Sequence, residues 1–160
     1  MENEIESICP NSRQAWREWL EANHESKQAV WLIYYKKKSN LPTVLYSDAV
    51  DEALCFGWID SKAKPIDEEK YMQFFTKRKP KSIWSRINKE KIERLTKAGL
   101  MTKAGFEIIE IAKQNGSWNI LDESEALIVP EDLKKGFQKS TAAMDYFSSL
   151  SRSDKRNILQ

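Results

Sequence analysis

Apolar positions along this chain recur first with helical spacing, then with the alternation of strands, then with helical spacing again. Behind Ser12, a residue type suited to an N-cap, Trp16, Trp19 and Leu20 fall on one side of a helix running to about Asn23. Ala29–Tyr35 (Ala-Val-Trp-Leu-Ile-Tyr-Tyr) is apolar on both alternating faces and rich in β-formers, the pattern of a central strand covered on both sides. Lys36–Pro42 is its polar exit. Ser47 or Asp48 then caps a second helix with Val50, Ala53 and Leu54 on one stripe, and Gly57 is placed to end it.

Trp58–Lys64 sets Trp58, Asp60 and Lys62 against Ile59, Ser61 and Ala63, and Tyr71–Phe75 is a further aromatic run. The short polar connector between them predicts an antiparallel hairpin. Beyond it the pattern is helical. Asn88 caps a segment carrying Ile92, Leu95 and Ala98 and ended by Gly99; Thr102 caps another, with Phe106, Ile109 and Ala112, ended by Gly116. Pro130 opens a helix whose first turn holds Glu131 and Asp132. Thr141–Leu150 is a short amphipathic helix, and Ser151–Asp154 spells a capping box for a last one of about two turns. So short a final helix reads as one completed by a partner, or as a truncated end. The elements predict an α+β fold: a small, mainly antiparallel sheet of about three or more strands packed with helices in 1–120, and a helical C-terminal segment, 121–160, packed on or appended to it.

Composition places the 160 residues in one ordinary folded domain, with six Trp, six Phe and five Tyr for a core. The acidic opening Met1–Ser7 has neither the basic nor the apolar part of a secretory leader, and no apolar run is long enough to span a membrane. Cys9 and Cys55 have no paired spacing, and Cys55 reads as a small core residue; a reducing cytoplasm is the expected setting. Net charge is +2, but it is unevenly spread: residues 76–91 hold seven bases against Glu90 alone. A near-neutral total argues against a dedicated nucleic-acid coat, whereas the local excess suits a compact anion site.

That excess centres on Phe74–Asn88, where Lys77, Arg78, Lys79, Lys81 and Arg86 alternate with a proline, hydroxyls, an amide and Trp84. Arg78, Lys79, Lys81 and Arg86 supply charge-assisted donors, Trp84 a stacking face, and Ser85 and Asn88 neutral hydrogen bonds beside a helix start that favours anions. The plainer reading makes Trp84 a core anchor, Asn88 a cap and the lysines solvated. Asp60 is either a general base beside Ser61 or Lys62, or the ion-pair partner of Arg78 or Arg86 that holds the loop. His24, the single histidine, follows an acidic helix and reads as exposed, so no Ser-His or Cys-His device is evident. No Gly-rich phosphate loop and no metal-spaced cluster occurs, and neither cofactor nor metal is expected. Tyr34–Lys38 and the Trp16/Trp19 pair are assigned to structure rather than to a nucleic-acid surface.

With Ala53–Ser61 and Phe75–Asn88 in view, the chain resembles the YdeI/OmpD-associated family, also labelled bacteriocin-protection proteins. The likeness continues through Gly99–Gly105 and Val129–Leu133. It implies a cytosolic protein tied to envelope or antimicrobial-peptide stress, without an agreed reaction. The expected function is non-enzymatic binding of an anionic small molecule or acidic protein partner by Asp60, Arg78, Lys79, Lys81, Trp84, Ser85, Arg86 and Asn88, with oligomerisation through the C-terminal helix a further expectation. The alternatives are a small cofactor-free hydrolase or transferase acting on a phosphorylated or acyl substrate, and a nucleic-acid-binding protein.

Overall fold

A computed structural model describes residues 4–160; Met1–Asn3, part of the acidic opening, lie outside the described residues. The elements are β1 (Ser7–Ile8), α1 (Arg13–Asn23), β2 (Ala29–Tyr35), α2 (Tyr46–Cys55), β3 (Trp58–Pro65), β4 (Lys70–Lys77), α3 (Arg86–Lys97), α4 (Lys103–Asn115), α5 (Asp122–Glu125), α6 (Glu131–Lys139), α7 (Thr141–Ser149) and α8 (Arg152–Leu159). The fold is α+β. Its one sheet among the described residues has the order β1-β2-β4-β3, with β1 parallel to β2 and the other neighbours antiparallel.

Local chemistry explains most of these boundaries. Ser12 caps α1 by accepting from the Ala15 amide at 3.1 Å, and Thr102 caps α4 by accepting from Gly105. Gly57 follows α2 at φ +73°, the left-handed conformation that a glycine adopts without strain. Two caps lie away from their expected places. α2 starts at Tyr46 behind Leu45 with no side-chain cap, rather than at Ser47 or Asp48. α3 is capped by Ser85, whose hydroxyl accepts from the Asn88 amide at 3.2 Å, so Asn88 sits in the first turn instead of capping it.

The core lies on one face of the sheet. β2 turns Val30, Leu32 and Tyr34 inward, all at 0 % exposure, and β4 adds Phe75 opposite Val30. Trp16 of α1 packs on Phe75 with ring centroids 5.3 Å apart and donates from Nε1 to the Ala49 carbonyl of α2 at 3.0 Å. The alternate residues of β2, Trp31, Ile33 and Tyr35, remain half-exposed. The expectation of a strand covered on both sides is therefore corrected: the helices bury one face, and the apolar character of the other has a different cause.

α2 is pinned by charge as well as by apolar contact. Buried Glu52 accepts from Arg13 Nε at 2.6 Å and from Arg17 NH1 at 2.7 Å, and buried Asp51 accepts from Arg94 NH2 at 2.8 Å with Lys91 at 3.6 Å. Both carboxylates are thus paired, as burial of charge requires, and α1, α2 and α3 are locked in register. α4 closes on the end of α2 through Gly105, where an added Cβ would stand 2.4 Å from the Cys55 carbonyl oxygen.

Candidate anion-binding site

The β3–β4 hairpin carries a bulge. Asp60 stands opposite Phe75 and Ala63 opposite Gln73, so Ser61 and Lys62 together face Phe74. Trp58 and Asp60 consequently stay on the core face, while Lys62 turns to the other, its Nζ 5.4 Å from the Phe74 ring centroid. The expected sharing of one face by Asp60 and Lys62 is corrected; simple alternation fails at the extra residue. Asp60 Oδ2 accepts from Tyr46 Oη at 2.9 Å and from Gln73 Nε2 at 2.8 Å, and Gln73 in turn accepts from the buried Tyr34 hydroxyl at 3.1 Å. Burial first, then the bond to Asp60, raises the Tyr46 phenol; burial raises Tyr34 as well. Asp60 thus sits in a network of neutral partners, and the expected ion pair with Arg78 or Arg86 does not form. Arg86 pairs with Glu90 at 3.9 Å.

Arg78 is the unusual residue. It leaves β4 as the chain turns beneath the loop, with its amide donating to the Gly57 carbonyl at 2.9 Å, and only 6 % of it is exposed. Its guanidinium lies 3.6 Å from the centroid of the Trp84 ring, and NH1 donates to the Ile83 carbonyl at 3.0 Å. Nε finds no acceptor, and none of the ion pairs among the described residues includes Arg78. Burial pushes its pKa down to about 10, against a weaker opposing pull from the charge of Asp60. Glu52 and Asp51 show the usual solution for a buried charge in this molecule, so a buried guanidinium left without a carboxylate stands apart.

Arg78 also lines a cavity of about 310 Å³. One wall comes from Phe56, Gly57 and Trp58, another from Ala104, Ile108 and Ile111 of α4, and His24 and Lys77 add basic groups with Glu25 and Glu107 as acidic neighbours. Trp58 is fully buried, and its indole Nε1, like Arg78 Nε, has no protein acceptor. Two residues with unpaired buried donors therefore line one cavity of mixed apolar and charged character. Such a volume is at the small end of those that hold organic ligands. Among the described residues no three His, Cys, Asp or Glu side chains gather as metal ligands.

The remaining residues expected at the site divide into two groups. Trp84 is 1 % exposed and packs on Trp118 with centroids 5.0 Å apart, so it is a core anchor whose face is taken by Arg78, not an open stacking surface. Lys79 and Lys81 are exposed on a loop tethered through the Pro80 carbonyl, which accepts from Asn115 Nδ2 at 2.7 Å. Ser85 and Asn88 are engaged with each other at the start of α3, and Arg86 lines a separate cleft with Lys89, Trp118 and Asp122. Arg78 and Trp84 come together; Asp60 is held apart by Tyr46 and Gln73, and Arg86 and Asn88 do not join them. His24 is half-buried rather than exposed, with Nδ1 2.8 Å from the Leu20 carbonyl and its ring 5.1 Å from that of Phe56.

Tyr46, Gln73 and the α4 wall are not singled out by sequence, and Trp58 and Lys77, though noted there, are not among the residues expected to bind. Gly105 was the accessible signal for the wall, since a glycine within an amphipathic helix marks a close approach; the cross-strand partners of Asp60 carry none. Residues 8–108 match the model of a family described as Domain of unknown function (DUF8412). The chain belongs to that family. The DUF8412 match contains the whole hairpin, the basic loop and every cavity-lining residue named above except Ile111. No curated protein and no solved structure gives a match. No helix among the described residues is long and apolar enough to cross a membrane.

Proposed function

We propose that this chain is a non-enzymatic binding module for a small organic anion, a carboxylate or monophosphate on an apolar body, held in the cavity between the hairpin end and α4. The observation that carries this reading is Arg78: a buried guanidinium without a carboxylate partner, at the edge of a cavity that also receives Trp58. The acid group of the ligand pairs with Arg78 and accepts from the unpaired indole, while Phe56, Ile108 and Ile111 cover its apolar part. Lys77 favours the charge from the rim, against Glu25 and Glu107 on the same lining. Asp60, fixed by Tyr46 and Gln73, steadies the hairpin on which Arg78 is carried. Lys79, Lys81 and Arg86 attract anions at long range, and Ser85 with Asn88 shapes the loop exit. The protein works in the cytoplasm, and its cellular setting is the envelope or antimicrobial-peptide stress implied by the resemblance to YdeI/OmpD-associated proteins.

The test is a thermal-shift series with phenyl phosphate, phenylacetate, inorganic phosphate, sugar phosphates and acyl-CoAs, run on the chain and on Arg78→Met. The reading predicts stabilisation by one class of amphipathic anion that persists at physiological salt and is absent in the variant. Stabilisation by none of them, or by all equally in both proteins, refutes it.

A further inference from the structure

The solvent-facing side of the sheet has a chemistry of its own. Trp31 and Phe74 are cross-strand partners on β2 and β4, half-exposed, with ring centroids 4.8 Å apart at 51°. Met72, on the same side, extends the apolar surface. The hairpin bulge delivers exposed Lys62 to this face, and exposed Lys64 lies with its Nζ 4.6 Å from the Trp31 centroid. Lys70, opposite Tyr35 and half-exposed, adds a third cation, which pairs with Asp67 of the hairpin turn at 3.8 Å until a phosphate replaces that carboxylate. The residues that β2, β3 and β4 present on this side include no Asp or Glu. An extra residue in the hairpin thus places a lysine above an aromatic pair, where plain alternation would have put it on the core side.

We propose that this face binds single-stranded nucleic acid, with bases stacked on Trp31 and Phe74 and phosphates taken by Lys62, Lys64 and Lys70. Every base has a π-face, so two half-exposed rings and flanking ammonium groups bind a strand without reading its sequence. The lysines already lie over the rings, within 5.7 Å for Lys62 on Trp31. A base that displaces an ammonium keeps the ring covered and leaves the charge beside its own phosphate. A duplex keeps its bases stacked inside, and an acidic peptide offers charge without π-faces; both lack what this surface takes.

The experiment is fluorescence anisotropy on the whole chain with labelled oligo-dT and oligo-rU of about 15 nucleotides, a duplex of the same length and a polyglutamate peptide. The two single-stranded arms separate DNA from RNA. Binding is expected for at least one single strand and to be at least tenfold weaker for duplex and polyglutamate. Three phosphate contacts give a log–log salt slope of about −2, or roughly 20-fold weaker binding between ~50 and ~200 mM salt. Lys62→Glu/Lys64→Glu weakens binding by about tenfold or more, and the charge-matched Lys97→Glu/Lys139→Glu on exposed helix surface stays within about twofold. Trp31→Leu loses a similar factor through stacking, with the exposed lysine pair serving as the arm that does not disturb packing. No binding to either strand, equal binding to duplex or polyglutamate, or indifference to Lys62 and Lys64 overturns the proposal.

Discussion

Replacing Arg78 with methionine separates a binding arginine from a structural one, because the two roles predict different stabilities. The fall of the guanidinium pKa to about 10 corresponds to about 3 kcal/mol of charge burial that methionine, of similar length, does not incur. Against this, the variant loses the charged hydrogen bond to the Ile83 carbonyl, about 2 kcal/mol, and the stacking on Trp84, about 1–2 kcal/mol. The terms nearly cancel, so Arg78→Met should unfold within about 1 kcal/mol of the parent. Breaking a buried ion pair by removing one partner costs about 3–5 kcal/mol. Urea unfolding followed by tryptophan fluorescence reads the difference directly. A loss of about 3 kcal/mol or more would mean that Arg78 is a compensated part of the core, and the reasoning that assigns its charge to a ligand would fail.

Other consequences are equally direct. Trp84→Ala should cost about 3–5 kcal/mol in the same urea assay, since the ring is 1 % exposed between Arg78 and Trp118; a loss under about 1 kcal/mol contradicts its place in the core. Gly105→Ala should destabilise by about 2–3 kcal/mol, because the new methyl meets the Cys55 carbonyl at 2.4 Å and Met101 Cε at 2.8 Å, and a neutral result would show that α4 does not sit so close. Burial raises the Cys55 thiol to about 11, so an alkylating reagent at mildly alkaline pH should label exposed Cys9 alone, and Cys55 only after unfolding. Mass spectrometry that finds both modified in the native protein refutes that burial.

Much of the fold was legible because local signals carried it. Ser12 and Thr102 cap where their side chains allow, Gly57 and Gly99 follow helix ends at positive φ, and the alternating segment 58–64 pairs with the aromatic run 71–75 as a hairpin. Where two polar residues can each cap one helix, as Ser85 and Asn88 can, composition does not choose between them; in the structure Ser85 caps by accepting from the Asn88 amide. The start of α2 carried no cap signal at all, since Leu45 offers no side-chain acceptor.

The site was less legible, and for a physical reason. Its determinants are contacts between residues far apart in the chain. A run of five cations around Trp84 reads as a solvated surface, yet Arg78 and Trp84 fold inward against each other while Lys79 and Lys81 stay out. Nothing local distinguishes Arg78 from its neighbours; its burial depends on the Gly57 turn and the α3–α4 region closing around the loop. The bulge had the same effect on Lys62, as one inserted residue reverses every later side chain of β3. The all-apolar β2 suggested two buried faces, but its outer side instead forms an aromatic surface capped by lysines.

The most direct test of the central claim is an arginine-optimised ¹H–¹⁵N NMR titration of the chain with phenyl phosphate, read at the Nε–H resonance of Arg78 and assigned by its absence in Arg78→Met. The account predicts that this resonance, which starts without a protein acceptor, shifts saturably as the phosphate pairs with it, together with the Trp58 indole N–H, and that phenol leaves both unmoved. A titration in which Arg78 and Trp58 stay fixed while the exposed Lys79 and Lys81 alone respond would place any anion on the open loop and contradict the buried site.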